Sequence, residues 1–109
     1  MTTLDVARAF IDAARDRQAD RAADLCADDV EILLPGADAP LRGKEGVRQM
    51  VRMAPHFESS MRSEEERDGE VRMTTLTRFP GMWANYTTWV FKVEQDRIKR
   101  VTFELRAAN

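Results

Sequence analysis

Three turn pairs, Asp68-Gly69, Pro80-Gly81 and Gln95-Asp96, cut the second half of the chain into four runs of strand length. Asp-Gly is the strongest of them, because a two-residue type I′ turn needs positive φ at both central positions. It joins a strand around Ser59–Arg67 to one around Glu70–Phe79. Pro80 presets φ and Gly81 accepts positive φ, so this pair makes the next turn. The run from Trp83 to Glu94, WANYTTWVFKVE, is rich in aromatic and β-branched side chains suited to a pleated, half-buried surface. Arg97–Leu105 returns with Ile98, Val101, Phe103 and Leu105, and Arg106–Asn109 reads as a frayed tail. Four consecutive strands with short turns predict an antiparallel meander.

The first half has a different period. Thr2 or Thr3 is placed to cap a helix in which Leu4, Val6, Ala9, Phe10, Ala13 and Ala14 share one face. Asp12, Arg15, Asp16 and Gln18 fall on the solvated side. Asp20 reads as the N-cap of a shorter helix carrying Ala22, Ala23, Leu25 and Cys26, ended by Asp28-Asp29. Val30–Leu34 follows as a half-buried strand with Leu33 on its outer side, and Pro35-Gly36 with Ala37–Pro40 turns the chain. From Lys44 to Ala54, Val47, Met50, Val51 and Ala54 recur at i, i+3, i+4 and i+7, which predicts a third helix stopped by Pro55. Helices on one side of an antiparallel sheet define an α+β domain. A sheet this long curls into a cone with room for an interior pocket. No internal repeat, linker or low-complexity segment interrupts residues 1–109, so they read as one domain.

Composition removes several function classes. With 43% hydrophobic residues, 33% charged residues and a net charge of −2, the chain is an ordinary globular sequence with interspersed charge. No basic cluster offers a nucleic-acid surface, and no run approaches a membrane span. The opening MTTLDVARAFIDAARD lacks the apolar core of a signal peptide, and a lone Cys26 fits a reducing compartment, so a cytoplasmic location is expected. One His and one Cys leave little for a metal site, and no cofactor motif is present, so neither metal nor cofactor is expected.

The order of elements, ADDVEILLPG followed by PLRGKEGV, and the closing DRIKRVTFEL resemble the NTF2-like superfamily, including the SnoaL-like polyketide cyclases and ketosteroid isomerase. The resemblance spans essentially the whole chain. It implies a curved antiparallel sheet forming a cone, with three helices on its concave side, and a homodimer through the outer sheet face. Laid over ketosteroid isomerase, the ADD segment places Leu34 where that enzyme has its aspartate base and Phe10 where it has its oxyanion-hole tyrosine. Matching the long strands places Trp89 at its protonated aspartic acid. None of these three side chains can move a proton or stabilise an enolate, so that form of steroid isomerisation is excluded by this alignment. The same register turns Asn85, Thr87, Trp89, Phe91 and Val93 inward with Val101, Phe103 and Leu105, and Tyr86, Thr88 and Lys92 outward.

The candidate site follows from these faces. Phe10, Leu34, Met50, Met73, Trp89 and Phe103 are expected to line a pocket for a small, largely apolar molecule, polyketide- or terpenoid-like. Asn85 and Thr87 are expected to orient that ligand, as a few convergent polar groups do in an apolar cavity. His56, the one histidine and so the side-chain type suited to acid–base work near neutrality, is the candidate catalytic group for a cyclisation, isomerisation or hydrolysis. The alternatives are a non-catalytic dimeric domain whose cone is filled by its own side chains, and a protein-interaction module. Met50, Met53, Met61, Met73 and Met82 read as core filler, Cys26 as a small core residue, and Trp83 with Tyr86 as an aromatic outer face. Extending the Asp68-Gly69 hairpin pairs Glu66 with Val71, Glu64 with Met73, Arg62 with Thr75 and Met61 with Leu76, unless a bulge intervenes. The charge run Glu64–Asp68 reads as a solvated strand end.

Overall fold

A computed structural model describes residues 1–108. Its first helix, α1 (Thr3–Arg15), begins with a reciprocal cap. The Asp5 N–H donates to Thr2 Oγ1 at 3.1 Å, and the Thr2 N–H donates to Asp5 Oδ2 at 3.0 Å. Two orphan donors of the first turn are satisfied at once. The apolar face of α1 buries Val6, Phe10, Ile11, Ala13 and Ala14. Helix α2 (Ala19–Asp24) starts before Asp20, with Gln18 at the N-cap position and no side-chain cap, and the Asp20 carboxylate instead accepts from Arg48 Nε at 2.8 Å.

The second helix also ends earlier than Asp28-Asp29, and Cys26 opens strand β1 (Cys26–Ile32). The cause is a partner distant in sequence. The Leu25 carbonyl accepts from the Ile98 N–H at 3.0 Å, which draws the chain into extended form as soon as the helix is released. Strand pairing stops at Ile32, although the Leu33 N–H still reaches the Val101 carbonyl at 3.0 Å. A turn closed by the Ala37 N–H on the Leu34 carbonyl, with Gly36 at φ +79°, leads towards the two-residue β2 (Leu41–Arg42), antiparallel to β1. Helix α3 runs Gly43–Met53 and buries Gly46, Val47, Met50 and Val51. Gly46 lies against Leu41, where an added Cβ would come within 3.1 Å of that side chain.

Strands β3 (Glu58–Arg67), β4 (Glu70–Phe79), β5 (Trp83–Glu94) and β6 (Arg97–Ala107) form the expected meander. Asp68 and Gly69 take φ +53° and +82°, the type I′ requirement, and Gln95 and Asp96 meet it with φ +51° and +60°. Near the turn Glu66 opposes Val71 and Glu64 opposes Met73. A bulge between Met61 and Ser63 then moves Met61 from Leu76 to Thr75 and leaves Arg62 as the extra residue. Strand β6 continues past Leu105: Arg106 and Ala107 pair with Tyr86 and Asn85, and the Arg106 guanidinium lies 4.8 Å from the centre of the Tyr86 ring. The expected frayed tail is therefore strand as far as Ala107, while Asn109 lies outside the described residues.

The sheet order is β2-β1-β6-β5-β4-β3, antiparallel except where β1 runs parallel to β6. The three helices and this curved, unclosed sheet make an α+β fold with the core between helices and concave face. Strand β3, at one edge, is exposed along most of its length and carries Glu64, Glu65, Glu66 and Arg67, charges that discourage pairing with another edge. Arg8 of α1 clasps it, giving Glu64 two hydrogen bonds, one of 2.7 Å from Nη2. Among the described residues no helix is long and apolar enough to cross a membrane.

Candidate functional site

Alternation along β4, β5 and β6 brings Thr77, Phe79, Trp83, Asn85, Thr87, Trp89, Phe103 and Leu105 to one end of the concave face. Helix α3 contributes Met50, Val51 and Met53, the turn after β1 contributes Leu34 and Pro35, and α1 contributes Ala14. Ala54, Pro55 and Phe57 complete the wall. Together they enclose a cavity of about 380 Å³, within the range of small-molecule sites. Thr77, Asn85 and Thr87 are the polar members of the wall, and none of its described residues carries an ionisable side chain.

The polar groups form a single row. Trp89 Nε1–H donates to Thr75 Oγ1 at 3.1 Å, and Thr75 and Thr77 hydroxyls lie 2.9 Å apart. Thr77 donates to Thr87 at 3.0 Å, and Thr87 donates to Asn85 Oδ1 at 2.5 Å. Cross-strand register explains the row, since Thr75 opposes Thr87 and Thr77 opposes Asn85. Thr75, Thr77 and Thr87 are all buried, and their mutual bonds remove most of the cost of placing hydroxyls in an apolar wall.

The sequence-derived candidates divide into two groups. Leu34, Met50, Asn85, Thr87, Trp89 and Phe103 all line the cavity. Phe10 and Met73 do not, because both are fully buried beneath it. Phe10 stands edge-on to Phe91, with ring centres 5.6 Å apart, and seals the far end of the cone. His56 is exposed and absent from the wall, although its neighbours Pro55 and Phe57 both belong to it. Trp83 is corrected from the outer to the inner face: it is two residues before Asn85 on the same strand, and it stands 54% exposed at the mouth. Met53, Met61 and Met82 are likewise exposed rather than core filler, and Met53 joins the wall.

Sequence reasoning overlooked Thr77, Phe79 and Trp83. Period two alone carried the signal, since these three share a face with Met73 or Asn85. Cys26 is a buried residue whose Sγ–H reaches the Ala22 carbonyl at 3.4 Å, and burial pushes its thiol up to about 12. At neutral pH it is a packing group and not a nucleophile. Among the described residues no cluster of three His, Cys, Asp or Glu side chains has the arrangement of a metal site.

A curled α+β cone with one apolar cavity at its open end defines a pocket fold of the NTF2-like type. The profile of the SnoaL-like domain matches residues 7–101, and the chain belongs to that family. A protein from Sphaerobacter thermophilus is 25% identical, with a TM-score of 0.87 and 96% of each chain covered. An NTF2-like protein from Cytophaga hutchinsonii ATCC 33406 is 17% identical, with a TM-score of 0.80 over 96% of this chain and 90% of that one. An LEH-like epoxide hydrolase from M. tuberculosis is 17% identical, with a TM-score of 0.76 over 94% of this chain and 81% of that one. No curated protein sequence matches the chain.

Proposed function

We propose that this domain binds a small, uncharged, largely apolar molecule, polyketide- or terpenoid-like in size and polarity, in the cavity. The observation that carries this reading is the wall itself: about 380 Å³ of apolar space, a row of hydrogen-bonded hydroxyls and no ionisable side chain. Proton transfer in such a pocket would have no acid or base within reach, and His56 faces solvent outside it. The hydrolase activity of the M. tuberculosis relative is therefore not carried over to this chain. Binding with conformational restraint remains open to it, because a snug apolar wall can hold a flexible chain in one folded form.

A thermal-shift screen of wild type and His56→Gln against aromatic polyketide, terpenoid and steroid-like compounds tests the reading. A ligand present at a hundredfold excess over its Kd adds about 2.7 kcal/mol, roughly 10 °C for a domain of this size. Equal shifts in both proteins, without turnover, are the expected result. A product that forms only with His56 present would instead make the domain an enzyme. No shift from any compound would favour a domain that uses its cone as core alone.

The outer sheet face supports a second copy of the chain as partner. Half-buried Leu76, Tyr86 and Val90 form a strip with Thr74, Thr88 and Thr102. The Arg72–Glu104 ion pair reaches across β5 beside Thr88 and Val90, and Lys92 with Glu94 lies at one end of the strip. Charges of both signs across and beside the strip suit a patch that meets itself across a two-fold axis. Sedimentation of wild type as a dimer and of Val90→Arg as a monomer is the expected outcome.

A further inference from the structure

Each hydroxyl of the row, Thr77 and Thr87 in the cavity wall and Thr75 buried behind it, has one proton to give, and the row of bonds uses all three. The indole at one end can only donate, and Trp89 gives its Nε1–H to Thr75. The Thr77 proton is committed to Thr87, so in the pair that Thr77 makes with Thr75 the donor is Thr75. Thr87 then donates to Asn85 Oδ1. The row therefore runs in one direction, from indole to amide, and no hydroxyl proton is left over for a ligand. What remains at the cavity end is the Asn85 carboxamide nitrogen, whose two N–H groups have no protein partner among the described residues.

Resting on the binding reading above, we infer that the Asn85 amide is the recognition donor for a carbonyl oxygen on the ligand. The ligand class is then a neutral apolar ketone, ester or lactone, its oxygen on Asn85 and its hydrocarbon body against Trp89 and Phe103. A donor-only molecule meets only second lone pairs, on Asn85 Oδ1 and on hydroxyl oxygens, each on an oxygen that already accepts one bond. A carboxylate meets no cation, since among the described residues no Lys, Arg or His lines the cavity, and loses its hydration without return.

Three naphthalene probes separate these classes: 2-acetylnaphthalene, its isostere 2-isopropylnaphthalene, and 2-naphthoate. Their affinities are measured by calorimetry at neutral pH for wild type, Asn85→Leu and Asn85→Asp. Asn85→Asp keeps an oxygen to accept the Thr87 proton and loses the N–H donor. It thus decides the matter even where Asn85→Leu melts too low to use. The expected result is that the ketone-to-hydrocarbon affinity ratio falls about tenfold in both variants, the size of one net hydrogen bond. Hydrocarbon binding should survive in Asn85→Leu, and naphthoate should bind wild type at least tenfold more weakly than the ketone. A ratio unchanged by either substitution, with binding intact, overturns the role of Asn85 alone. Naphthoate binding as tightly as the ketone overturns the neutral ligand class. If neither neutral probe binds folded wild type, the binding reading falls and this inference falls with it.

Discussion

Strand β5 faces two different interiors along one continuous side. At one end Phe91 and Val93 are packed to completion, with Phe10 of α1 set edge-on against Phe91. At the other end Thr87, Asn85 and Trp83 face open space, and the nearest cover is the last turn of α3 with Leu34 and Pro35. Trp89 stands at the boundary, its ring 6.5 Å from Phe10 on one side and 5.1 Å from Phe103 on the other. The sheet is the same; what differs is the helix above it. Where α1 reaches the strand, side chains are large and apolar. Where α1 presents only the small Ala14, hydroxyls satisfy one another beside a hollow.

That contrast can be broken most forcefully at the packed end. Phe10→Ala should cost about 3–5 kcal/mol, the ordinary toll for emptying a filled aromatic site, read as a fall in the urea midpoint. A loss below about 1 kcal/mol would mean that the closed end is not core. Thr75→Val strikes the boundary, where it strands the Trp89 N–H and interrupts the hydroxyl row. About 1–3 kcal/mol is expected from the same measurement, because a buried donor is left without an acceptor.

A smaller effect is expected where α1 meets the sheet edge. The hydrogen bonds from Arg8 hold the Glu64 carboxyl below the ordinary glutamate range. A depressed folded-state value means the stabilisation is complete above the unfolded value of about 4.3 and is lost as pH falls from there through the lower folded-state value. Acid titration of wild type and Glu64→Gln should therefore show a slight difference above that pH and convergence only once pH has fallen through the lowered folded-state value. The gap should shrink in high salt. Trp83→Ala closes the series at the open end, with stability changed by no more than about 0.5 kcal/mol. Its ligand-induced thermal shift should nonetheless be reduced, since Trp83 contributes wall without contributing core.

The meander was legible in the sequence because its signals are local. Asp68-Gly69 sets the register of Glu66 with Val71 and Glu64 with Met73, and period two along WANYTTWVFKVE puts Asn85, Thr87 and Trp89 on one face. Illegible features all depended on partners far away in sequence. Cys26 is strand rather than helix because Ile98 and its neighbours pair beside it. The bulge at Arg62 has no marker such as Gly. Whether Phe10 lines a pocket or fills it depends on where α1 comes to rest over the sheet, which no residue pattern within α1 encodes. The hollow itself was the least readable feature, being a property of the space between elements.

The parallel pairing of β1 with β6 bears on how the chain reaches this shape. Every other strand contact is made through a hairpin or a short turn and can form early. The bonds from Ile98 to Leu25 and from Leu33 to Val101 instead close a loop of some seventy residues, so their entropic cost is met before any local contact offsets it. Non-local pairings of this kind slow folding. The α1–α2 hairpin and the meander can therefore be expected to assemble as separate pieces, with docking of Cys26–Ile32 onto the final strand as the step that commits the molecule. Substitutions at Val30 or Val101, on that seam, should then slow refolding more than substitutions around the cavity mouth, which should act mainly on unfolding.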